Sequence, residues 1–461
     1  MFSILFHTEL KRNFRHPLFL LMGGIILCTF LCGTLSFHTQ WQHRMKEFTQ
    51  WEQAHEKDSF TYHLTSKALN WDEYRFAPQI SEIIDPCNRG DLPQSITASA
   101  FRVVGYNISL ISNNPLIEKS QPISWTFIVS FLLSFMALML SYNAVSGSKN
   151  PNTLSLLFSY PISRAGFLMS KFLSVWLLCG GILLSGIIIS TTCLWIAGDE
   201  ISSVFLLEAG IFFIYSLIFL TLFIAFGLLS SIVTMHSGSS LLVSVSFWLL
   251  CFVILPNTHQ FIARHLYPFL ETRDDMEKRF EREQYQMVLD APAGSLTSDV
   301  KPDFPNHKLR AELFTRMNEV YKQLVDEYAE GTFQQYEQTL STLKLSPYNL
   351  YQQMNEHWLN GGYVRFKKNW EAMKVFQKKY EEWFKAEDAK DPESPHWYNP
   401  MGDLSTSQKL IAGSEFPDYA EPDITFSEKI QFVWKYALII SGMSFFLLII
   451  SIFAFNKYDV R

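Results

Sequence analysis

Residues 146–171 read SGSKNPNTLSLLFSYPISRAGFLMSK, and the rest of the chain is arranged around them. One apolar run ends just before this stretch at Val145 and another begins just after it at Phe172. Between the runs stand three cations, Lys149, Arg164 and Lys171, and no acid. Asn152 or Thr153 can cap a short helix, because a side-chain oxygen there accepts from the free amides of a first turn. Leu154, Leu157 and Phe158 give that helix one apolar face, and Pro161 ends it by removing a backbone donor. A short amphipathic helix strung between two membrane spans cannot bury itself alone, so it is expected to dock on another molecule. The competing reading is an ordinary basic loop that obeys the positive-inside rule.

Working outward, apolar segments fall at residues 17–37, 123–145, 172–197, 204–232, 241–256 and 433–455. Each approaches or exceeds the length that crosses a hydrocarbon core about 30 Å thick. The fifth is the shortest and is expected to end at Pro256. Lys11, Arg12 and Arg15 precede the first span, and Lys457 and Arg461 follow the last. The turn after the third span carries Asp199 and Glu200 and no cation. Six spans with this distribution put both termini and the elbow at 146–171 in the cytoplasm. The run at 17–37 is longer than the apolar part of a signal peptide and lacks a small-residue cleavage site, so it reads as a retained span. Gly23, Gly24, Gly180, Gly181 and Gly186 allow close helix approach or flexing.

Residues 1–16 form a basic amphipathic stretch. Phe2, Leu5, Phe6, Leu10 and Phe14 share one helical face, with Lys11, Arg12 and Arg15 towards the other. Such a helix lies in the headgroup plane. Two polar regions, 38–122 and 257–429, are left on the extracytoplasmic side. The first opens with a charged helical stretch through Trp41 and Trp51 and continues into the turn-rich DPCNRGDLP at 85–93. The second carries long charged helical patterns at 273–290, 307–336 and 364–385. Its aromatic series, Trp358, Tyr363, Phe366, Trp370, Phe376, Tyr380 and Trp383, reads as packing between helices in preference to a ligand surface. Residues 390–423 read as loop. The fold class is therefore an all-α polytopic membrane protein: six transmembrane helices with two mainly helical extracytoplasmic insertions, separate or joined in one domain.

The chemistry is notable for what the 461 residues omit. A net charge of −6 without a basic stripe argues against nucleic acid. No G-x-x-x-x-G-K-[ST] occurs; Gly361-Gly362 is followed by Tyr363. There is no H-E-x-x-H, no Cys-x-x-Cys and no G-x-S-x-G, so no catalytic or metal residues are assigned. His259 and His265 read as interfacial, and His236 sits in a short turn. Five of the six cysteines fall in apolar runs, and Cys87 stands alone in a polar region, which excludes a disulfide scaffold.

Residues 153–171 resemble the G-T-L-x-L-L-L-S-x-P-[IV]-S-R … K segment of the ABC-2 type export permeases. The resemblance is to the subgroup with two large extracytoplasmic insertions, related to the permease for copper-site maturation of nitrous oxide reductase. It is carried by Thr153, Leu154, Leu156, Leu157, Ser159, Pro161, Ser163, Arg164 and Lys171. The segments at 114–117, 137–147 and 345–384 also match, with Asn143 in place of a usual acid and residues 148–152 departing from the acidic-Gly pattern. The resemblance implies a coupling helix resting on a separate ATPase through Thr153, Leu154, Leu157, Ser159, Pro161, Ile162, Ser163 and Arg164. It implies a connecting helix that contacts the same partner through Leu10, Lys11, Arg12, Phe14 and Arg15.

Further expectations follow from the resemblance. ATP and magnesium would reside on two copies of the ATPase, none in this chain. A second copy or a related permease would complete the transporter in a bacterial cytoplasmic membrane. The work would be export of an amphipathic or peptide-like substrate, or mechanical action on an extracytoplasmic protein. The alternative is a membrane-anchored receptor or adaptor acting through its helical extracytoplasmic domain.

Overall fold

A backbone in hydrocarbon must satisfy its own hydrogen bonds, so long apolar runs become helices, and polar residues mark where each begins. The computed structural model describes residues 2–55, 61–64, 72–87, 92–101, 105–106, 123–149, 158, 162–268, 271–293, 295–296, 304–342, 344, 346–398 and 406–457. Helix α1 (Phe2–Phe14) is followed by α2 (Pro17–Ala54), which opens on Pro17 with the His16 ring accepting from the amide of Leu18. Ser124 caps α3 (Trp125–Ser141), Ser163 caps α4 (Arg164–Ile196) and Ser202 caps α5 (Ser203–Val233). Helix α6 (Ser237–Leu249) runs through a π segment, Leu250–Ile254, into α7 (Leu255–Leu266). The polar helices are α8 (Arg273–Leu289), α9 (Phe304–Thr342), α10 (Pro347–Trp358) and α11 (Gly362–Asp388). Helix α12 (Phe426–Lys457) closes the bundle.

Five helical stretches are long and apolar enough to cross a membrane: α2, α4, α5, Ser237–Thr258 and α12. Helix α3 is a shorter apolar helix beside them. The chain is an all-α polytopic membrane protein. Its bundle core is aromatic, with Phe30, Trp125, Phe212, Phe219 and Phe223 essentially without exposure. Gly186 shows how α2 and α4 come so close: a Cβ there would meet the Phe30 ring at 2.4 Å. Large apolar side chains such as Leu21 and Ile25 on α2 and Phe445, Phe446 and Phe453 on α12 face outward, as lipid-facing helices require.

Three helices run past the edges of their apolar runs. Helix α2 carries the first run and continues unbroken through the charged stretch of Trp41 and Trp51 to Ala54. Helix α4 starts at Arg164, so the last residues of the elbow are already helical. Pro256 does not end the helix that carries the fifth apolar run. It occupies the first turn after a π segment, where the i→i−4 ladder is already interrupted and a missing donor costs little.

The polar regions share a second core. Strand β1 (Thr61–His63) pairs antiparallel with β5 (Leu410–Ala412), in register Tyr62↔Ile411. Strands β2 (Asp72–Arg75), β3 (Ser95–Ala98) and β4 (Gly105–Tyr106) form a small antiparallel sheet that the turn-rich sequence did not announce. Ile96 and Phe101 of the first insertion pack in one cluster with Phe366, Trp370, Phe376 and Tyr380 of the second. The aromatic series is thus mostly core. Trp358 departs from it, buried instead in the membrane bundle's own cluster.

Candidate functional site

At the elbow end of the bundle, short polar side chains and lone cations find backbone groups that helix ends leave open. Helix α3 ends at Ser141, and the chain turns along the end of α5. The amides of Val145 and Ser146 donate to Ser231 Oγ at 2.8 and 2.9 Å. Asn143, which replaces an acid of the resembling family, accepts from Ser237 Oγ at 2.7 Å, and Ser240 Oγ donates to the Tyr142 carbonyl. Lys149 Nζ donates to the carbonyls of Ile232 and Thr234, the latter at 2.7 Å. It therefore caps the C-terminus of α5, where the helix dipole favours a cation.

The far end of the elbow is held by the last span. Ser163 Oγ accepts from the amide of Gly166 at 3.1 Å and starts α4. Arg164 donates from one guanidinium nitrogen to the carbonyls of Phe455 and Asn456, at 2.8 and 2.9 Å. It caps α12 as Lys149 caps α5. Phe158, Phe167 and Phe455 pack ring to ring at 5.7 to 5.9 Å. With Ile162, Val145, Leu168 and Ile232 they make a separate apolar cluster beneath the elbow.

Helix α1 lies against α4. Glu9, the sole acid of the first sixteen residues, is buried and accepts from Lys171 Nζ at 3.0 Å, with Lys171 itself 3% exposed. Arg12 pairs with the same carboxylate from the surface, and Asn13 Nδ2 donates to Ser174 Oγ at 3.1 Å. A buried ion pair is costly to open on one side, so it fixes the register of α1 on α4.

Of the residues expected to face a partner, Thr153, Leu154, Leu157, Ser159 and Pro161 lie outside the described residues. Ile162 and Arg164 are half-buried and Ser163 is exposed. On α1, Lys11, Arg12, Phe14 and Arg15 are exposed while Leu10 is half-buried against the bundle. Glu9 was not singled out by the sequence reading, although one acid in a basic helix was a usable signal.

The insertion end has a different junction. Helix α10 belongs to the second insertion by sequence, yet it is seated among α3, α5, α12 and the π segment after α6. Tyr351 stacks on Phe219 with ring centroids 4.3 Å apart, and its hydroxyl meets Ser216 Oγ at 2.7 Å. Tyr215 donates to Asn355 Oδ1 at 2.6 Å, and Trp358 Nε1 donates to the Glu208 carbonyl at 3.0 Å. Tyr348 touches Phe131 and Phe252, which lie in the π segments of α3 and of the α6–α7 connection. The 345–384 resemblance marked this segment without showing that it enters the bundle.

The described elbow residues thus hold helix ends at one end of a polytopic bundle, and an insertion helix is seated in its other end. The profile of the ABC-2 family transporter proteins matches residues 3–460, and the chain belongs to that family. A 50-residue stretch is 42% identical to the probable ABC transporter permease protein NosY of Pseudomonas aeruginosa, over 11% of this chain and 18% of that relative. The chain thus spans less than a fifth of the length of that curated relative.

Proposed function

We propose that this protein is the permease subunit of an ABC-2 exporter whose ATPase is a separate chain, with the elbow end in the cytoplasm and the insertions outside. The observation that carries this is the double capping of helix C-termini by the elbow's own cations, Lys149 on α5 and Arg164 on α12. A push on the elbow is then delivered to α3, α4, α5 and α12 together, because each is tied to it by hydrogen bonds or the apolar cluster beneath. Helix α1, clamped through Glu9 and Lys171, adds a second lever with Lys11, Arg12, Phe14 and Arg15 outward. ATP and magnesium on two ATPase copies would drive the closure that supplies the push. Two permease chains, identical or related, would form the transporter in a bacterial cytoplasmic membrane.

The seat of α10 extends the same path to the insertions. Movement of α5 carries Tyr215, Ser216 and the Glu208 carbonyl, and with them Asn355, Tyr351 and Trp358. The output is export of an amphipathic or peptide-like molecule, or mechanical action on an extracytoplasmic protein.

The test is mass spectrometry of the complex that a tagged copy draws from mild detergent. The expected result is a stoichiometric P-loop ATPase, lost or uncoupled when Arg164→Glu is combined with Pro161→Gly. Isolation of the tagged chain with soluble extracytoplasmic proteins alone would favour the receptor or adaptor reading. Normal coupling in the double variant would remove the elbow from the contact.

A further inference from the structure

Around the seat of α10 the charges do not balance. Asp85 is 5% exposed and Glu356 is 5% exposed, and among the described residues neither has a cation within ion-pair distance. Three of the basic groups facing this region are already committed. Arg44 on α2 holds Glu82 at 2.6 Å. Arg365 on α11 forks onto Glu421, with 2.8 Å to Oε2. Lys429 on α12 pairs with Glu208 on α5 at 3.4 Å. His357, next to Glu356 on α10, is stacked flat on Phe432 at 4.2 Å, and burial first, then Lys368 and Lys435, pushes it down to about 4, so it brings no charge. The remaining titratable groups facing the pair are the Cys87 thiol and the phenols of Tyr215, Tyr336, Tyr348, Tyr351 and Tyr436, none of which can be cationic.

A second observation is independent of the carboxyls. Asn355 is fully buried with Nδ2 unpartnered, and so are Nδ2 of Asn349, Nε2 of Gln353, Oγ1 of Thr126 and Oδ2 of Asp85. The Thr126 hydroxyl and the Asn355 amide stand beside Asp85 without completing a hydrogen bond of normal geometry. Three of the unpartnered amides lie on α10. Its seat therefore gains aromatic contact and forgoes hydrogen bonds that water would satisfy.

We propose that Asp85 and Glu356 form a proton-binding site at the insertion end of the bundle, and that loss of its protons unseats α10. Two buried carboxylates with no counter-ion among the described residues repel each other and forfeit hydration, so the neutral acids are the seated form. Burial pushes Asp85 up to about 6, opposed by the Cys87 amide, which donates to Oδ1 at 2.7 Å. Burial, then the charge on Asp85, pushes Glu356 up to about 8. Raised values mean that the seated state holds more protons than the released one. Seating is thus favoured at low pH and weakens as pH climbs from the ordinary carboxyl range to the seated value. Asp85 acts below pH about 6 and Glu356 up to about 8.

The joint that would let α10 leave is built of Asn360, Gly361 and Gly362. Asn360 and Gly362 sit at φ +48° and +55°, a region that favours glycine. A Cβ on Gly361 would meet Cys87 Sγ at 2.6 Å, so the joint covers that thiol. Cys87 is therefore a native reporter of seating.

The experiment uses the full chain in mild detergent with Cys28, Cys32, Cys179, Cys193 and Cys251 changed to serine. Maleimide labelling of Cys87 is divided by that of an exposed reference thiol, Val375→Cys placed in a Cys87→Ser background. The ratio is expected to rise about tenfold per pH unit between pH 6 and 8 and then level, because one proton separates the two states. Glu356→Gln should be flat over that window, while Asp85→Asn should keep the one-proton rise there and fall from a two-proton to a one-proton slope below pH 6. Loss of α10 backbone hydrogen-exchange protection above pH 7, corrected for intrinsic exchange, should follow the same profile in unmutated protein. A flat wild-type ratio from pH 5 to 9 would overturn the proposal, as would a rise that survives Glu356→Gln. Suppression of labelling at pH 8 by sodium or potassium chloride relative to choline chloride would overturn it too, by assigning the site to a metal cation.

Discussion

The two ends of the bundle treat charge in opposite ways. At the elbow end every buried or half-buried cation described above has an acceptor: Lys171 has Glu9, Arg164 has two α12 carbonyls, and Lys149 has two α5 carbonyls. At the insertion end two carboxyls are enclosed with no cation paired to them among the described residues, and a helix is seated with amides unpartnered. The first arrangement resists opening, because parting a paired charge leaves its partner stranded in low dielectric. The second is poised, because water offers its groups more than the seat does. A lever must be stiff where force enters and responsive where it is delivered.

The largest effect expected from breaking this contrast is at the stiff end. Lys171→Met should destabilise the folded protein by about 3 kcal/mol, the low end for breaking a buried pair, because Glu9 keeps only the surface Arg12 as a partner. The Lys171→Met, Glu9→Gln double variant should recover most of that loss. Detergent-solubilised thermal unfolding of the four proteins checks it, and equal losses in single and double variants would mean the pair is not coupled. Arg164→Ala comes next, at about 1.5–3 kcal/mol, the range for hydrogen bonds to a charged donor. Its readout is fraying of the α12 C-terminus by hydrogen exchange, with α5 protection unchanged. Arg164→Lys should restore part of the loss, since both bonds leave one nitrogen and the Lys149 ammonium already serves two helix-end carbonyls.

Sharper and smaller is Tyr215→Phe at the poised end. It removes the donor to Asn355 and should cost about 1 kcal/mol. It should also raise the Cys87 labelling ratio at every pH without changing its slope, since no proton is involved. A change of slope would place Tyr215 in the titrating set. Smallest is Lys374→Ala, which opens a 2.8 Å pair with Asp326 between α11 and α9 on the solvated face. The expected cost is roughly 0.2–1 kcal/mol and should fade in high salt. A larger loss would mean that the insertion domain depends on surface charge as the elbow end depends on buried charge.

Much of this protein is legible in its letters. Apolar runs about as long as a bilayer is thick become helices whatever their neighbours do, so the spans, the elbow between them and the charged helices at 273–289 and 362–388 follow from composition and period. Caps are similarly local: Ser124, Ser163 and Ser202 each accept from an amide three residues on. The absence of a P-loop motif is likewise a property of the sequence alone.

What needed the tertiary structure is every fact about partners distant in sequence. Arg164 reads as a surface cation of a basic loop, and its acceptors lie 291 and 292 residues away on α12. Helix α10 reads as one more amphipathic helix of a polar insertion. Its place in the bundle depends on Phe219 and Tyr215 of α5 meeting Tyr351 and Asn355 across 132 and 140 residues. Asp85 sits in a turn-rich polar string, where exposure is the natural expectation, and only the folding of α5 and α10 over it removes the water. Periodicity reports which face of an element is apolar. It does not report which other face that one meets, and burial of charge is decided by the meeting.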